Sequence, residues 1–531
     1  MMSPLCSIRV EQGLRDPSVC GEKNTASYRC SEKERCKSCL AYVYASGCAP
    51  QESEDLIAVV LAGGEGTRMR PLTFTRPKPM LPVGPLPSIH FLVQHLSDQG
   101  FKDIIIVVGY LKDQIMGYVG NGERFGARVS YAVEPEGTVF GTAGSLKLAA
   151  HLLNETFLVA QGDTISEIPL SSMFGFHRRA GRDLTIALTR VERPSEYGVA
   201  VVDEKNQINQ FQEKPPPDEA KSNLASAGFY VLEPEITDYI SNDRWDFAKD
   251  LFPSLMSLGM TITGYITDSF WADIGSLAGY LKAIRWALDG SRGLAPHDNW
   301  RALGSAMVAE GTVISERCRI EGPSLIEAGV RIGDCVRISA YSVVKSNSLL
   351  SEGCSIENSV LLEGTTLGRS AHVLFSAVGE RASIGDGTEI SSSIIGPGSS
   401  LGSGCKVSEG SRVWPNIAIK PGDLVSGLVA VPRDKPFYFY SSLGNYTGFL
   451  ATSIDEFIEG LKDVPVPSLE FHIFRRDFER WATDAIGSLV LSERIRDIRR
   501  KGLLGEDLRE GLLECTNRWK REALVNEGTP P

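Results

Sequence analysis

A six-residue repeat between residues 303 and 431 constrains the fold of this 531-residue chain more than any other feature. Glycine and small polar residues separate the repeated apolar positions, as in the segment GSGCKVSEGSRV. The apolar positions form two runs with a break in phase between them: Ile326, Ile332, Ile338, Val344, Leu350, Ile356 and Leu362, then Ile395, Leu401, Val407, Val413, Ile419, Val425 and Val431. Three such units make one triangular coil, so the period predicts a parallel β-helix.

Three other segments differ from the repeat in pattern, as expected for a chain too long for one ordinary domain. Residues 1–54 are polar and rich in cysteine. Residues 55–290 alternate apolar runs such as FKDIIIVVGY with helical stretches such as SIHFLVQHLSDQG, which predicts an α/β domain with a mostly parallel sheet. Residues 432–531 carry apolar side chains at helical spacing, which predicts a small α-helical domain.

Composition excludes several classes of partner. A net charge of −11 argues against binding nucleic acid through bulk electrostatics. The absence of any run of 18 apolar residues argues against a transmembrane helix. The first residues, MMSPLCSIRVEQGLRD, lack the basic start and apolar stretch of a secretion signal. We therefore expect a cytoplasmic protein with no nucleic-acid or membrane partner.

Six of the eleven cysteines lie within the first 48 residues. Four of them follow the spacing C-x5-C-x2-C-x8-C: Cys30, Cys36, Cys39 and Cys48. Because disulfides are rare in the cytosol and so short a segment cannot build a core, these thiolates could hold structural zinc or an iron–sulfur cluster. Cys6 or Cys20 could replace one of the ligands, and free thiols in a flexible tail are the alternative.

A glycine-rich segment follows the first strand of the α/β region. The strand runs directly into LAGGEGTRMRPLTFTRPKPMLP, which begins at Leu61. Backbone N–H groups in such a turn can approach a phosphate chain, and the basic residues that follow can neutralise its charge. The segment lacks the G-K-[ST] ending of a P-loop, so that kind of nucleotide site is excluded.

Further motifs follow in a fixed order. They are GTAG from Gly141, QGD ending at Asp163, EYGV containing Gly198, FQEKP containing Glu213 and Lys214, and FWADIG containing Asp273. Together with the glycine-rich segment, they resemble the sugar-1-phosphate nucleotidyltransferase family over about residues 55–430. The likeness is greatest to mannose-1-phosphate guanylyltransferases that carry a left-handed β-helix, and it implies a Rossmann-like catalytic domain.

The resemblance implies a reaction and a set of roles. A sugar 1-phosphate attacks the α-phosphorus of a nucleoside triphosphate (NTP), and pyrophosphate leaves. Asp163 and Asp273 would hold Mg²⁺, while Arg68 and Lys78 would act on the reacting phosphates. Gly198, Glu213 and Lys214 would bind the sugar phosphate. The residues expected at the nucleotide are Leu61, Ala62, Gly63, Gly64, Gly66, Thr67, Gly141 and Thr142. A homo-oligomer is also expected.

The substrate pair and two other functions stay open at this stage. GTP with mannose 1-phosphate is the expected pair, and glucose 1-phosphate with UTP, dTTP or ATP is the alternative. Gln161, Thr164, Ser226 and Ala227 depart from the usual family residues, which bears on the choice of sugar. A bifunctional acetyltransferase would need a loop histidine, and His372 is the sole histidine in residues 303–431. A non-catalytic regulatory subunit would tend to lose the glycine-rich segment or the carboxylates, and both are present.

Overall fold

The computed structural model describes residues 56–135, 140–241, 244–290, 299–429, 436–451, 453–486 and 488–524. The leader with Cys30, Cys36, Cys39 and Cys48, and also Val431, lies outside these residues. Within them, no helix has the length and apolarity needed to cross a membrane.

The α/β region is built on a sheet with nine described strands. The strands of this region, including two separate two-stranded sheets (β2 with β3, and β7 with β13), are β1 Leu56–Ala62, β2 Pro82–Val83, β3 Leu86–Pro87, β4 Phe101–Val108, β5 Arg128–Val133, β6 Phe157–Gln161, β7 Thr164–Ser166, β8 Leu184–Arg190, β9 Gly198–Val202, β10 Ile208–Glu213, β11 Leu224–Leu232, β12 Ile262–Ile266 and β13 Trp271–Asp273. The main sheet has the order β10-β9-β11-β6-β1-β4-β5, with β8 pairing β11 and β12.

Strand direction explains where a ligand can bind. Strands β6, β1, β4 and β5 run parallel, so their carboxyl ends share one edge of the sheet. Strand β11 runs antiparallel to β6 and joins the parallel half to β8 and β9. The predicted α/β fold is thus confirmed, and ligands of such sheets bind beyond the carboxyl ends of the parallel strands.

Helices cover the sheet where the sequence has apolar side chains at helical spacing. In the first helix Ile89, Leu92, Val93 and Leu96 are all buried, which is the i, i+3, i+4, i+7 pattern of a helix with one apolar face. The helices of this region are α1 Ser88–Asp98, α2 Lys112–Val119, α3 Gly141–Lys147, α4 Leu170–Ala180, α5 Phe252–Ser257 and α6 Leu277–Asp289.

Residues from about 306 onward form three sheets of short strands in which each coil pairs in register with the next. The strands are β14 Trp300–Leu303, β15 Ala306–Ala309, β16 Val313–Ile314, β17 Arg319–Ile320, β18 Ser324–Ile326, β19 Arg331–Ile332, β20 Arg337–Ile338, β21 Val343–Val344, β22 Leu349–Leu350, β23 Ser355–Glu357, β24 Val360–Leu361, β25 Thr366–Leu367, β26 His372–Leu374, β27 Ala377–Val378, β28 Ser383–Ile384, β29 Glu389–Ser391, β30 Ile394–Ile395, β31 Ser400–Leu401, β32 Lys406–Val407, β33 Arg412–Val413, β34 Ala418–Ile419, β35 Leu424–Val425 and β36 Leu428–Val429. All pair in parallel except β14 with β15, which confirms the predicted β-helix.

One apolar position counted in the repeat, Leu362, lies outside the β-helix core. The ladder pairs Val344 with Leu361, so Leu361 points into the β-helix core, whereas Leu362 belongs to a cluster on its outer side. The same shortening recurs in the next coils, where Leu361 pairs with Val378 and Val378 with Ile395. Each of three successive coils therefore has one five-residue unit in place of a six-residue unit. The sequence analysis had described this region as a single break in phase.

The outer side of one β-helix sheet packs on the α/β region. Leu325, Val343, Val360 and Ile394 share a buried cluster with Leu72 and Tyr280, among others. The Tyr280 hydroxyl donates to the carbonyl of Pro82 at 2.7 Å inside this cluster. The β-helix is thus continuous with the core beneath the glycine-rich segment.

The C-terminal region contains a hairpin that the sequence analysis missed. Strands β37 Phe437–Ser442 and β38 Asn445–Ala451 pair antiparallel before the helices begin, and the helices that follow confirm the predicted helical C-terminal region. The helices are α7 Ile454–Asp463, α8 Val466–Phe474, α9 Asp477–Asp484, α10 Leu489–Lys501 and α11 Gly505–Leu524. The Ser453 side chain accepts from the Glu456 N–H and caps α7. The domain boundaries at 54, 290, 303 and 431 stay predictions.

Candidate active site

The glycine-rich turn begins where β1 ends at Ala62. Gly66 has φ +63°, and a Cβ there would lie 2.9 Å from Cβ of Lys78. Glycine is therefore required both by the left-handed backbone and by the close approach of a second segment. The Thr73 hydroxyl donates to the Gly66 carbonyl at 2.9 Å and closes the turn.

A cavity of about 240 Å³ lies beside this turn. Seven of the predicted site residues line it: Arg68, Thr142, Asp163, Gly198, Glu213, Lys214 and Asp273. The residues that depart from the usual family pattern, Gln161, Thr164, Ser226 and Ala227, line it as well.

The other predicted residues do not line the cavity. Lys78 forms an ion pair with Asp163, which does line it. The Leu61 carbonyl accepts from the Gly162 N–H at 2.9 Å, which ties β1 to the loop before Asp163. The remaining residues of this set are Ala62, Gly63, Gly64, Gly66, Thr67 and Gly141.

The two aspartates come together through a short antiparallel ladder. Strand β13 pairs Asp273 with Thr164, the neighbour of Asp163, and the Ile274 N–H donates to the Asp163 carbonyl at 3.1 Å. Arg68 Nη2 lies 3.4 Å from Asp273 Oδ2, and the Gly275 N–H donates to Asp273 Oδ1 at 2.7 Å. Each carboxylate is therefore paired with a cation, Asp163 with Lys78 and Asp273 with Arg68.

Electrostatic interactions keep both Asp273 and Arg68 ionised. Burial alone would raise the pKa of Asp273, but Arg68, Lys78, the Gly275 N–H and Lys214 together hold it below its usual value. The carboxylate of Asp273 in turn raises the pKa of Arg68. Both groups therefore carry full charge at neutral pH.

Lys214 approaches the cavity from strand β10 and has the left-handed φ of +48°. Burial lowers the pKa of its ammonium group, and the neighbouring Arg68 lowers it further. An anion placed between Lys214 and Arg68 would relieve this repulsion. The cavity is thus shaped for a phosphate group on its cationic side.

Comparisons with known proteins agree with this geometry. The nucleotidyl transferase family matches residues 57–290, and the GMPPB C-terminal domain family matches residues 320–420. The chain is 35% identical over 336 residues to a UTP–glucose-1-phosphate uridylyltransferase of Synechocystis sp., covering 60% of this chain and 85% of the relative. It is 32% identical over 337 residues to a probable mannose-1-phosphate guanylyltransferase of Oryza sativa subsp. japonica (60% and 92%) and 33% identical over 307 residues to a mannose-1-phosphate guanylyltransferase of Mycobacterium tuberculosis (56% and 82%).

The chain belongs to the sugar-1-phosphate nucleotidyltransferase family. Members of this family generally use Mg²⁺, and the donor set of this nucleotidyltransferase fits that ion. Asp273, at the end of β13, and Asp163, in the turn just before its partner strand β7, offer hard carboxylate oxygens. Among the described residues, no group of three or more His, Cys, Asp or Glu side chains converges. Two carboxylates completed by phosphate and water oxygens are what Mg²⁺ prefers at a phosphate-transfer site.

The sequence analysis missed several residues of the nucleotidyltransferase cavity. Asp246 and Lys249 line it from a π-helical turn, Phe247–Leu251. The Thr142 N–H donates to Asp246 Oδ1 at 3.2 Å, so Asp246 anchors the GTAG loop. The sequence signal was the presence of charged residues inside the otherwise apolar segment WDFAKDLFP. In the structure part of this segment forms a π-turn, and such turns frequently mark functional sites.

The floor of the same cavity is polar. The Ser226 hydroxyl donates to the Tyr230 hydroxyl at 3.3 Å, and burial raises the pKa of Tyr230 to about 12. Tyr197 packs edge-on against Trp271 with ring centroids 5.3 Å apart. These aromatic walls give the nucleotidyltransferase cavity the mixture of apolar surface and hydroxyl groups that suits a sugar ring.

Proposed function

We propose that the chain transfers a nucleotidyl group from an NTP to a sugar 1-phosphate. A phosphate oxygen of the sugar 1-phosphate attacks the α-phosphorus, a new P–O bond forms, and the bond to the leaving pyrophosphate breaks. The observation that carries this proposal is the convergence of two carboxylates and three cations, Arg68, Lys78 and Lys214, at one cavity beside the glycine-rich turn.

The cations act by position and charge. Arg68 presents a planar guanidinium that can bind two phosphate oxygens and stabilise the charge that develops on pyrophosphate. Lys214 also lines the cavity and would hold the sugar phosphate. Lys78, which now pairs with Asp163, lies within reach of the same phosphates. Transfer of this kind needs no covalent enzyme intermediate, so alignment and neutralisation supply the rate.

The carboxylates would hold the metal. Asp163 and Asp273 would bind Mg²⁺, which neutralises phosphate charge when bound. In the structure, Lys78 pairs with Asp163 and Arg68 with Asp273.

The sugar would contact Gly198 and Glu213, which pair across β9 and β10. A Cβ at residue 198 would lie 2.7 Å from Glu213 Oε2, so glycine leaves room for that carboxylate. Glu213 can accept hydrogen bonds from sugar hydroxyls. The nucleotide would lie toward the turn at residues 61–67 and the loop at Gly141 and Thr142.

The proposed substrate pair is GTP with mannose 1-phosphate. The support is the match of residues 320–420 to the GMPPB C-terminal domain, together with relatives named as mannose-1-phosphate guanylyltransferases in rice and in Mycobacterium tuberculosis.

A second pair, UTP with glucose 1-phosphate, has its own support. The Synechocystis relative with 35% identity is named as a uridylyltransferase. Gln161, Ser226 and Tyr230 face the cavity, and recognition of one sugar hydroxyl or one base edge rests on only a few hydrogen bonds. One or two such residues can therefore decide the pair.

Acetyl transfer by the β-helix receives no support from His372. This residue lies on strand β26, and its Nδ1 is 2.6 Å from the Ser355 hydroxyl on the neighbouring coil. It is exposed on the side of the coils rather than in a loop.

A substrate matrix tests the proposal. Purified full-length protein is incubated with Mg²⁺, each of GTP, UTP, dTTP and ATP, and each of mannose and glucose 1-phosphate, and pyrophosphate release is measured. We expect the highest kcat/KM for GTP with mannose 1-phosphate. A higher value for UTP with glucose 1-phosphate would transfer the assignment to the second pair, and no release with any pair would contradict the reaction itself.

A further inference from the structure

The β-helix presents a row of side chains to the α/β region, one from each coil. Five successive positions paired in register are apolar: Leu325, Val343, Val360, Ala377 and Ile394. All five belong to the buried cluster shared with the α/β region. The next position in the ladder is Arg412, which pairs with Ile394 and is only 2% exposed.

Packing does not explain a charged residue at this position. Burying a guanidinium costs several kcal/mol of desolvation, and a Leu or Met of similar volume would continue the apolar row at no such cost. The explanation must lie in what Arg412 contacts.

Arg412 contacts the backbone that carries Arg68. Its Nη1 donates to the carbonyls of Arg68 and Arg70, each at 2.6 Å. These carbonyls lie at the end of the short helical turn Thr67–Met69, where carbonyl groups lack partners within the turn. Met69 between them is fully buried. The two hydrogen bonds therefore fix the direction of the chain on both sides of one anchored residue.

Neighbouring contacts extend this attachment. Arg70 pairs with Glu65 at 2.5 Å and lies over the ring of Phe74. Phe74 packs edge-on against Trp414, two residues beyond Arg412, with centroids 5.3 Å apart. Trp414 Nε1 donates to the Ile486 carbonyl at 3.1 Å, so the C-terminal helices support the same coil.

We propose that Arg412 is a positioning residue for nucleotidyl transfer: from the β-helix, it holds the helical turn Thr67–Met69 (the signature turn) so that the Arg68 guanidinium faces Asp273 and the reacting phosphates. This inference rests on the proposed function for its catalytic consequence, though not for its effect on the turn. The β-helix thereby contributes to catalysis without touching substrate.

The test compares Arg412→Met with a matched control in the full-length protein. Arg285→Met is the control, because Arg285 also reaches the β-helix, donating to Asn358 Oδ1 at 2.8 Å, but does not contact the signature turn. We expect Arg412→Met to lower kcat by about 10- to 100-fold, since small displacements of a catalytic group cost that much. Arg285→Met should change kcat less than about 3-fold.

A double-variant cycle separates positioning from general damage. If Arg412 acts through Arg68, then Arg412→Met should lower kcat less than about 2-fold in an Arg68→Met background. A loss in that background as large as in the wild type would overturn the proposal.

Hydrogen exchange gives a readout that does not need activity. Amides of residues 67–75 should exchange at least about 10-fold faster in Arg412→Met than in wild type, and at the wild-type rate in Arg285→Met. If no substrate pair gives turnover, the proposed function fails while this measurement still decides the role of Arg412.

Should Arg412→Met fail to fold, Arg412→Lys, whose amine ends one bond short of Nη1, is predicted to show the same changes at smaller size. Wild-type kcat and exchange in the folded variant would overturn the proposal.

Discussion

At the scale of single residues, the site is an arrangement of charges that compensate one another before substrate arrives. Asp163 pairs with Lys78, and Asp273 faces Arg68 at 3.4 Å. Substrate phosphates would attract both cations, and the two carboxylates are the groups that would hold a divalent ion. Both aspartates are therefore needed for the same step.

The first prediction concerns these carboxylates. Asp163→Asn or Asp273→Asn should lower kcat by about 100-fold or more, because each change removes a charged oxygen ligand from the proposed metal. Initial rates of pyrophosphate release at saturating Mg²⁺ provide the measurement. Asp268→Asn is the matched control, since its carboxylate is 82% exposed and lies 3.7 Å from Arg190 outside the cavity. Near-normal turnover in both Asp163 and Asp273 variants would rule out the metal assignment.

The sequence was sufficient to predict the cavity residues that lie in recognisable motifs. It was not sufficient to predict those that tertiary contacts bring to the cavity. Arg68, Asp163, Lys214 and Asp273 were predicted and line the cavity. Asp246 was not, because its role depends on the π-turn that brings it to the Thr142 N–H. Its local signal, a charged residue inside the apolar segment WDFAKDLFP, does not show that Asp246 contacts the Thr142 N–H.

At the scale of elements, two glycines with positive φ differ in their surroundings. Alanine at one would meet both backbone strain and a steric clash, and alanine at the other would meet backbone strain alone. Gly141 has φ +73°, and a Cβ there would lie 2.4 Å from the Trp245 carbonyl oxygen. Gly181 has φ +57° and open space around its Cβ position.

The second prediction compares alanine at these positions. Gly181→Ala should lower the free energy of unfolding by about 1–2 kcal/mol through backbone strain alone. Gly141→Ala should also displace the start of α3 and the Thr142 contact, raising the KM for the NTP by about 10-fold or more. Thermal unfolding and steady-state kinetics of both variants check this, and equal kinetics for the two would contradict it.

The third prediction concerns the C-terminal hairpin. His472 is buried, its Nε2 accepts from the Tyr440 N–H at 2.8 Å, and its Nδ1 donates to Asp477 at 2.8 Å. Burial lowers the pKa of His472 below its ordinary 6.5 despite the nearby Asp477 carboxylate. When this region unfolds locally, the exposed His472 binds a proton more tightly than it does in the folded state. The free energy of local unfolding therefore falls as pH drops through 6.5 toward the lower folded pKa, by up to about 1.4 kcal/mol per pH unit.

Hydrogen exchange of residues 437–451, corrected for intrinsic rates, measures this loss between pH 7.5 and 5.5. His472→Gln keeps an acceptor but cannot be protonated in this range, so its protection should not vary with pH. The same pH dependence in both proteins would contradict the assignment to His472.

The elements also show where periodicity misleads. The repeat located the β-helix correctly, yet Leu361 rather than Leu362 points inward because several coils contain a five-residue unit. The hairpin had a signal in the alternation of Phe437, Tyr438 and Phe439, whose burial alternates as buried, exposed, buried. The helical spacing that follows it concealed this short stretch.

At the scale of the whole molecule, the cysteine-rich leader stands apart from catalysis. It lies outside the described residues, and the metal proposal for Cys30, Cys36, Cys39 and Cys48 rests on their spacing. The fourth prediction is that deleting residues 1–50 removes tightly bound zinc or iron and leaves nucleotidyl transfer unchanged. Elemental analysis of protein purified without oxygen is the measurement, and a metal-free full-length chain would contradict it.

The β-helix, the C-terminal helices and the catalytic sheet share buried surface with the signature turn, so activity is expected to depend on more of the chain than the cavity itself. In the proposed reaction, the sugar 1-phosphate attacks the α-phosphorus of the NTP and pyrophosphate leaves. Full-length protein incubated with mannose 1-phosphate, Mg²⁺ and GTP labelled with ³²P at either the α- or the γ-phosphate tests it directly, with UTP and glucose 1-phosphate run in parallel. We expect the α-label to appear in a nucleotide-sugar and the γ-label in pyrophosphate, in equal amounts. Release of the γ-label as inorganic phosphate, its transfer to the sugar, or no movement of label with either pair would contradict it.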